Sequence, residues 1–540
     1  MTVATAEAIE LSRRAVAALQ RGAWGEAAEL AQAVLQRFGP EPNALMVLAS
    51  VRTQAGNLPE AIDLYERARA LMPTHIHVLV NLAAAYRTSG RLHEARRNLD
   101  AALQVDPGFA AAHNNLGNVL MDLGERPQAL RSYERAASLD PNYADPLSGL
   151  ARIAEEEHRL DEARSFAERA LQLAPGNVLA TLTLARVGLR QGDASRAAAL
   201  LETLLCGGAL SVTNRIVALG YLGEAYDQLA RYPEAFRAFT QANGLQQAQY
   251  ASAFAHDGGP LSPAGIARLT AFVAATDPSA WRPAPPSAQL PVFLIGFPRS
   301  GTTLLDQILA SHPEVTTLEE RDTLIDAAGE LLSAEQTFER WASLPEREIE
   351  RLRELYWQRV RSGCPEGPAA RVFVDKQPMN AVLLPLIHRL FPAARILLAV
   401  RDPRDVVLSC YQQRFRLNVA MYQLLRLDTA AAYYDAVMGL VAASCRKLPL
   451  RLQAVKYEDI VARFEPTVRS VLEFLELEWH EGVRRHTDTA RTRTVGTPSA
   501  AQVVRPLYGS ARGRWRNYSE FLEPYLPVLA PWVRTYGYPA

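Results

Sequence analysis

Two hydrophobic patterns divide the chain. Up to about residue 245, small apolar residues recur on a fixed period. Alanine stands at Ala27, Ala61, Ala95, Ala129, Ala163 and Ala197, and leucine at Leu48, Leu82, Leu116, Leu150 and Leu184, in both series 34 apart. Glycine stands at Gly22, Gly56, Gly90, Gly124 and Gly192, with His158 in the remaining slot, and proline closes units at Pro73, Pro107, Pro141 and Pro175. The period predicts two antiparallel helices per unit. The alanine lets the helices approach, the glycine makes the turn between them, and the proline stops the second helix. A further unit follows a four-residue insertion, with Leu222 and Ala235 each 38 beyond their predecessors. The expectation is six to seven units over residues 1–245. Residues 246–290 break the period with AHDGGPLSPAG and DPSAWRPAPPSAQLP and read as a linker holding one short helix near Pro263 to Ala275. From Pro291 short apolar runs alternate with amphipathic helices. The strands expected are Val292–Ile295, Val372–Val374, Ile396–Val400 and Leu452–Val455, which predicts βαβ units and a mainly parallel sheet over 291–540.

The 34-residue units resemble tetratricopeptide repeats. The resemblance implies a right-handed superhelix whose concave groove takes a polypeptide. Most of the periodic Leu, Ala and Tyr residues then belong to the core. Asn81 and Asn115 occupy equivalent places on successive first helices, facing the groove. Such a pair has the amide groups to hold a peptide backbone, but only two units carry it, so solvated polar positions are the better reading. The fold class expected is an α-solenoid joined to an α/β P-loop-like domain.

Composition narrows the function classes. Of 540 residues 49% are apolar, enough for true cores, and the formal net charge is zero, so bulk charge favours neither nucleic acid nor a membrane surface as partner. Cys206, Cys364, Cys410 and Cys445 are scattered without CxxC spacing, which argues against a zinc site or disulfide framework and for a reducing compartment. The N-terminal stretch lacks the apolar core of a signal peptide, and no window approaches 18 uncharged apolar residues. A cytoplasmic protein is expected, with no membrane and no metal.

The chemistry concentrates in PVFLIGFPRSGTTLLDQILASHP, residues 291–313. A strand, a tight loop and a helix start follow one another. Gly296 and Gly301 bracket four residues and precede Thr302 and Thr303, the spacing of a phosphate-binding P-loop. The lysine that an ATPase or kinase uses on the β- and γ-phosphates is replaced by Thr302. What remains is a backbone cradle at a helix N-terminus, suited to one anionic group.

PRSGTT resembles the 5′-phosphosulfate loop of sulfotransferases, whose donor is 3′-phosphoadenosine 5′-phosphosulfate. The family's 3′-phosphate signature is matched a hundred residues on by Arg401-Asp-Pro-Arg-Asp-Val-Val-Leu-Ser409. The resemblance assigns Arg299, Ser300, Gly301, Thr302 and Thr303 to the 5′ end of the donor and Arg401 and Ser409 to the 3′ end. Lys376, after its strand and before Gln377-Pro378, matches the lysine that meets the bridging oxygen as the S–O bond breaks. His312-Pro-Glu-Val-Thr-Thr-Leu-Glu319-Glu320 is similar to a segment of tyrosylprotein sulfotransferases, and it makes Glu320 the catalytic base with Glu319 beside it. A carboxylate there can take a proton from a phenol or alcohol. Cytosolic sulfotransferases use a histidine instead; no histidine here occupies an obvious equivalent place, and His388 is the one left open. Val455-Lys-Tyr457-Glu-Asp matches a segment whose tyrosine lies near the adenine. Ser499-Ala-Ala-Gln502-Val-Val-Arg505-Pro matches a closing loop, and Arg514-Trp515 a pair whose cation lies near the 3′-phosphate. One departure matters. Asp322 stands where the family has an arginine that reads acidic residues around an acceptor tyrosine.

Each residue also has a plainer reading. SGTT is a good helix cap, Arg401 can pair with Asp405, Lys376 can be a surface lysine beside Asp375, and Glu319-Glu320 an acidic helix start. The resemblance implies transfer of a sulfonate to an acceptor hydroxyl without a metal, with protein tyrosine the leading acceptor and a glycan or small molecule the alternative. The rivals from other classes are a repeat scaffold with an inactive nucleotide-binding module, and a nucleotide kinase. The partner expected is a polypeptide in the repeat groove, with no nucleic acid.

Overall fold

The computed structural model describes residues 3–208, 210–254, 258–332, 338, 340–364, 370–488 and 512–539. The chain forms two compact units, Met1–Ala209 and Leu210–Ala540.

In the first unit the described residues form twelve helices in six consecutive pairs, from Val3–Gln20 with Trp24–Phe38 to Val178–Gln191 with Ala194–Cys206. The periodic alanines Ala27, Ala61, Ala95, Ala129, Ala163 and Ala197 are fully buried, because a methyl group is all that fits where paired helices touch. The turn glycines take left-handed angles between φ 74° and 84°, and His158 takes the same turn at φ 63°. Second helices end at Leu71, Val105, Leu139 and Leu173, two residues before each closing proline. Tyr133 shows how units lock together. Its ring lies so close to Gly117 and Gly149 that a Cβ on either would come within 2.6 Å of it. Asn81 and Asn115 are half-buried.

The pair Val212–Gln228 and Tyr232–Phe254, with Leu222 and Ala235 buried as the period requires, groups with the second unit. Helix Pro263–Ala275 packs against helix Leu427–Lys447 through Ile266, Leu269 and Val273. The second unit is built on five parallel strands: β1 (Val292–Gly296), β2 (Val315–Glu319), β3 (Val372–Lys376), β4 (Arg395–Val400) and β5 (Arg451–Lys456). Their order is β2-β3-β1-β4-β5. Register pairs Leu294 with Lys376 and Leu397, and Glu319 with Lys376. Alternate side chains enter two cores. Phe293, Ile295, Phe373, Ile396 and Leu398 lie in one, and Val292, Leu294, Val374, Leu397 and Ala399 in the other. Burial on both faces is why these strands read as continuous apolar runs. β2 adds a fifth strand to the four expected. Chain order reverses at β1, so the crevice beyond its C-terminal end is where a parallel sheet of this kind receives a ligand.

Candidate active site

The loop leaving β1 is shaped by two glycines for different reasons. A Cβ on Gly296 would lie 2.6 Å from the Ala399 carbonyl and 2.7 Å from Ser300 Oγ, so no side chain fits. Gly301 has φ 100° and caps helix Thr302–Ala310, with the Tyr457 ring 3.1 Å from where its Cβ would be. Between them Arg299 adopts φ 69°, a left-handed angle that L residues pay about 1–2 kcal/mol to hold. Ser300, Thr302 and Thr303 are buried, and Ser300 Oγ has no hydrogen-bond partner among the described residues. A buried hydroxyl in this state carries a desolvation cost that an incoming oxyanion would relieve. The first amides of the helix and its dipole favour the same kind of group.

The second signature closes on this loop. Arg401, just past β4, donates from Nη1 to the Arg299 carbonyl at 3.3 Å. Arg299 Nε in turn donates to Ser409 Oγ at 3.1 Å. Helix Pro403–Gln412 carries Ser409, and Cys410 Sγ lies 3.3 Å from the Pro298 carbonyl. Burial pushes the Cys410 thiol up to about 12, so it stays neutral and packs. Arg401 lies over the Tyr457 ring at 5.0 Å. Its approach to Asp405 is only 4.0 Å, because Asp405 is occupied elsewhere: it accepts from the backbone N–H of Gly513 at 2.6 Å and of Trp515 at 2.9 Å. Arg299, Ser300, Gly301, Thr302, Thr303, Arg401, Ser409 and Tyr457 therefore form one connected cluster beyond β1 and β4. Arg514 sits beside it. Its Nη2 donates to Asp227 Oδ2 at 2.5 Å, and the Asp227 carboxylate also accepts from Tyr518 at 2.6 Å.

On the other side of β1, Lys376 is fully buried at the end of β3. Its Nζ donates to Glu320 Oε1 at 2.8 Å and to Glu319 Oε1 at 3.2 Å. The ladder causes this. Glu319 is the register partner of Lys376, and the Glu320 N–H donates to the Lys376 carbonyl at 2.7 Å. The chain then turns at Glu320 with φ 45°, which returns a second carboxylate to the same ammonium. The acidic pair thus ends a strand and does not begin a helix. Lys376 is no surface lysine either. Asp375 points away from it on the opposite face, fully buried, accepting from Thr323 Oγ1 at 2.6 Å and the Tyr356 hydroxyl at 3.1 Å. Burial pushes the Asp375 carboxyl up to about 7. Beside Glu320, the exposed Asp322 accepts from Gln377 Nε2 at 3.2 Å, while Arg321 packs against the end of helix Glu346–Gly363.

His312 is structural, bonded to the Glu478 carbonyl and the Glu314 N–H. His388 lies in helix Leu384–Leu390, which runs back from the ligand edge of the sheet toward the start of β4, and burial pushes its imidazole down to about 4. It is misplaced for a base at the strand tips. The closing-loop residues Ser499, Ala500, Gln502 and Arg505 lie outside the described residues. Sequence reasoning missed β2, although Val315-Thr-Thr-Leu is a β-branched run that would have signalled it, and it missed Asp227, for which no local signal existed.

Among the described residues no group of three or more His, Cys, Asp or Glu is placed to hold a metal ion. No helix among them is long and apolar enough to cross a membrane. Residues 291–481 match the model of the sulfotransferase family. Residues 40–107, 108–176 and 154–205 match tetratricopeptide repeat models. An uncharacterized protein of Aquifex aeolicus is 30% identical over 44% of this chain and 32% of its own length. A protein-tyrosine sulfotransferase of Drosophila melanogaster is 26% identical over 42% of this chain and 46% of its own. The chain thus spans less than half of the length of these relatives, 32% of one and 46% of the other. A tetratricopeptide repeat protein of Parabacteroides merdae superposes with TM-score 0.35 at 18% identity, over 44% of this chain and 93% of that one. The chain carries tetratricopeptide repeats in its N-terminal part and a sulfotransferase-family domain in its C-terminal half.

Proposed function

We propose that the second unit transfers a sulfonate from 3′-phosphoadenosine 5′-phosphosulfate to an acceptor hydroxyl, with a protein tyrosine as the leading acceptor. The observation that carries the reading is the buried Lys376 ammonium, held against Glu320 at the tips of adjacent strands and flanking the β1 loop. The site residues suit the donor. The amides of the helix starting at Thr302, the unpartnered Ser300 hydroxyl and Arg299 take the 5′-phosphosulfate, while Arg401 and Ser409 take the 3′-phosphate and Tyr457 borders the adenine.

In the reaction, Glu320 accepts the hydroxyl proton as the acceptor oxygen attacks sulfur. The bond from sulfur to the 5′-phosphate oxygen breaks in line with that attack. Lys376 moves from Glu320 to the departing oxygen, neutralising its charge, and adenosine 3′,5′-bisphosphate leaves. This transfer frees the carboxylate only when a donor is present to engage the ammonium. The repeats present a polypeptide acceptor and act in the cytoplasm.

Asp322 favours a second reading of the acceptor. With Glu319, Glu320 and Asp322 close together just past the tip of β2, the last two exposed, like charges repel an acidic peptide. A tyrosine in neutral or basic surroundings, or a small-molecule or glycan hydroxyl, suits it better. The test is incubation of the protein with sulfur-35-labelled donor and host lysate, followed by identification of the labelled species. Label in a tyrosine of a protein band supports the leading acceptor. Label confined to small molecules or glycans selects the alternative, and no label above the protein-free control contradicts the enzyme reading.

A further inference from the structure

We propose that Asp227 is a positioning residue of the donor pocket, acting through Arg514 on the 3′-phosphate of the nucleotide. The inference rests on the donor reading above. Asp227 comes from the helix pair that resumes the repeat pattern after a four-residue insertion, yet its helix, Val212–Gln228, belongs to the compact unit Leu210–Ala540. Its carboxylate is half of a clamp on the short turn at Gly513–Trp515. From one side Asp227 accepts from the Arg514 side chain at 2.5 Å and from Tyr518 at 2.6 Å. From the other, Asp405 accepts from the backbone N–H groups of Gly513 and Trp515. Asp405 lies on the helix that carries Ser409 and is 4.0 Å from Arg401. The turn is thus fixed in space by two carboxylates, one of which adjoins the arginine assigned to the 3′-phosphate.

The same hairpin braces that helix directly. Thr240 Oγ1 lies 2.7 Å from the Tyr411 hydroxyl, and Asn243 Nδ2 donates to the Tyr411 carbonyl at 2.9 Å. Phe236 stacks on Phe521 with ring centroids 4.0 Å apart. Tyr411 follows Ser409 by two residues. A guanidinium on a long, flexible stem loses rotamer entropy when it binds. One already oriented by a fixed carboxylate has lost it in advance, as ligands held by an outer partner do. Among the described residues Asp227 engages Arg514 through Nη2 alone, and the planar fork retains further N–H donors for an anion.

The test is isothermal titration of the full-length chain with adenosine 3′,5′-bisphosphate and with 5′-AMP, which lacks the 3′-phosphate. The wild type is expected to prefer the bisphosphate. Asp227→Asn, nearly isosteric, should weaken the bisphosphate about 5- to 20-fold and change AMP less than about twofold. Arg514→Gln should do the same. The double variant should bind no more weakly than Arg514→Gln alone, because both changes remove one effect. A merely structural role would weaken both nucleotides equally. Bisphosphate binding that is unchanged or tighter in Asp227→Asn would overturn the proposal, the second result meaning that the carboxylate competes with the ligand for Arg514. Losses that simply multiply in the double variant would overturn it too. Should Asp227→Asn fail to fold, judged by circular dichroism, Arg514→Gln and Tyr518→Phe decide. Both must lower the preference for the bisphosphate, and either one leaving it intact overturns the proposal. A wild type that binds both nucleotides equally removes the donor reading itself, whereas intact wild-type preference with unresponsive variants removes only Asp227.

Discussion

In the first unit His158 takes φ 63°, and in the second Glu320 takes φ 45°. Both hold a left-handed backbone that favours glycine. His158 fills one of the glycine slots that end the first helices, and around the sister slots at Gly22, Gly56, Gly90, Gly124 and Gly192 a Cβ would meet nothing within 4 Å. The repeat asks only for the angle, and any side chain willing to bear the strain can stand there. Around Glu320 the strain returns a carboxylate to an ammonium that Glu319 already holds. Gly296 sharpens the contrast, since its place requires no Cβ at all. Strain in the array is tolerated, whereas strain at Glu320 places its carboxylate, the proposed base, on the Lys376 ammonium.

Substitutions can break this contrast. The largest effect is expected at Glu320. Glu320→Gln should lower the transfer rate by about 10²- to 10⁴-fold, the range of a lost general base, and leave bisphosphate affinity within about twofold. A variant keeping most of its rate removes the base role and with it the reason for the strain.

Next is Asp375, buried behind Lys376. Its folded carboxyl titrates near 7 against an ordinary 3.8, because burial disfavours the charged form. Between those values the folded state holds a proton that the unfolded state has released. The carboxyl's stabilising contribution is therefore complete below about pH 4 and is lost as pH rises through 7, by about 4 kcal/mol in all. Asp375→Asn removes that slope. The Tm of the wild type minus that of the variant should fall from pH 4 to 7 and level off above. Parallel Tm profiles would contradict the assignment.

Arg401→Ala should weaken the bisphosphate by about 1.5–3 kcal/mol and barely affect 5′-AMP, which titration calorimetry measures directly. Equal losses for both would place Arg401 outside the 3′ subsite. The smallest effect is expected in the array. His158→Gly should raise stability by about 1 kcal/mol in urea unfolding, since glycine bears the angle without strain. A loss of stability would mean that the His158 contact with Arg190 outweighs the backbone term.

The repeats were legible because one physical constraint, the close approach of paired helices, recurs every 34 residues. Ala27 through Ala197 declare it six times over, and even the His158 exception sits in register. The β1 loop was legible because Gly296, Gly301 and the two threonines lie within eight residues. β2 was not recognised, since its β-branched run Val315-Thr-Thr-Leu is short and runs straight into Glu319 and Glu320, which read as an acidic helix start. The pairing of Lys376 with both glutamates depends on that strand, so it too was hidden. The tie of Asp227 to Arg514 spans 287 positions and exists only because a hairpin written in the repeat pattern folds with the other unit.

The central claim is a pocket for a nucleotide with a single 5′ anion and a 3′-phosphate. The most direct measurement is calorimetric titration of the wild-type protein with adenosine 3′,5′-bisphosphate, 5′-AMP and magnesium ATP. The bisphosphate is expected to bind at least about tenfold tighter than either competitor, the scale of one charged hydrogen bond. Tightest binding of magnesium ATP, or no preference between the bisphosphate and AMP, would contradict it.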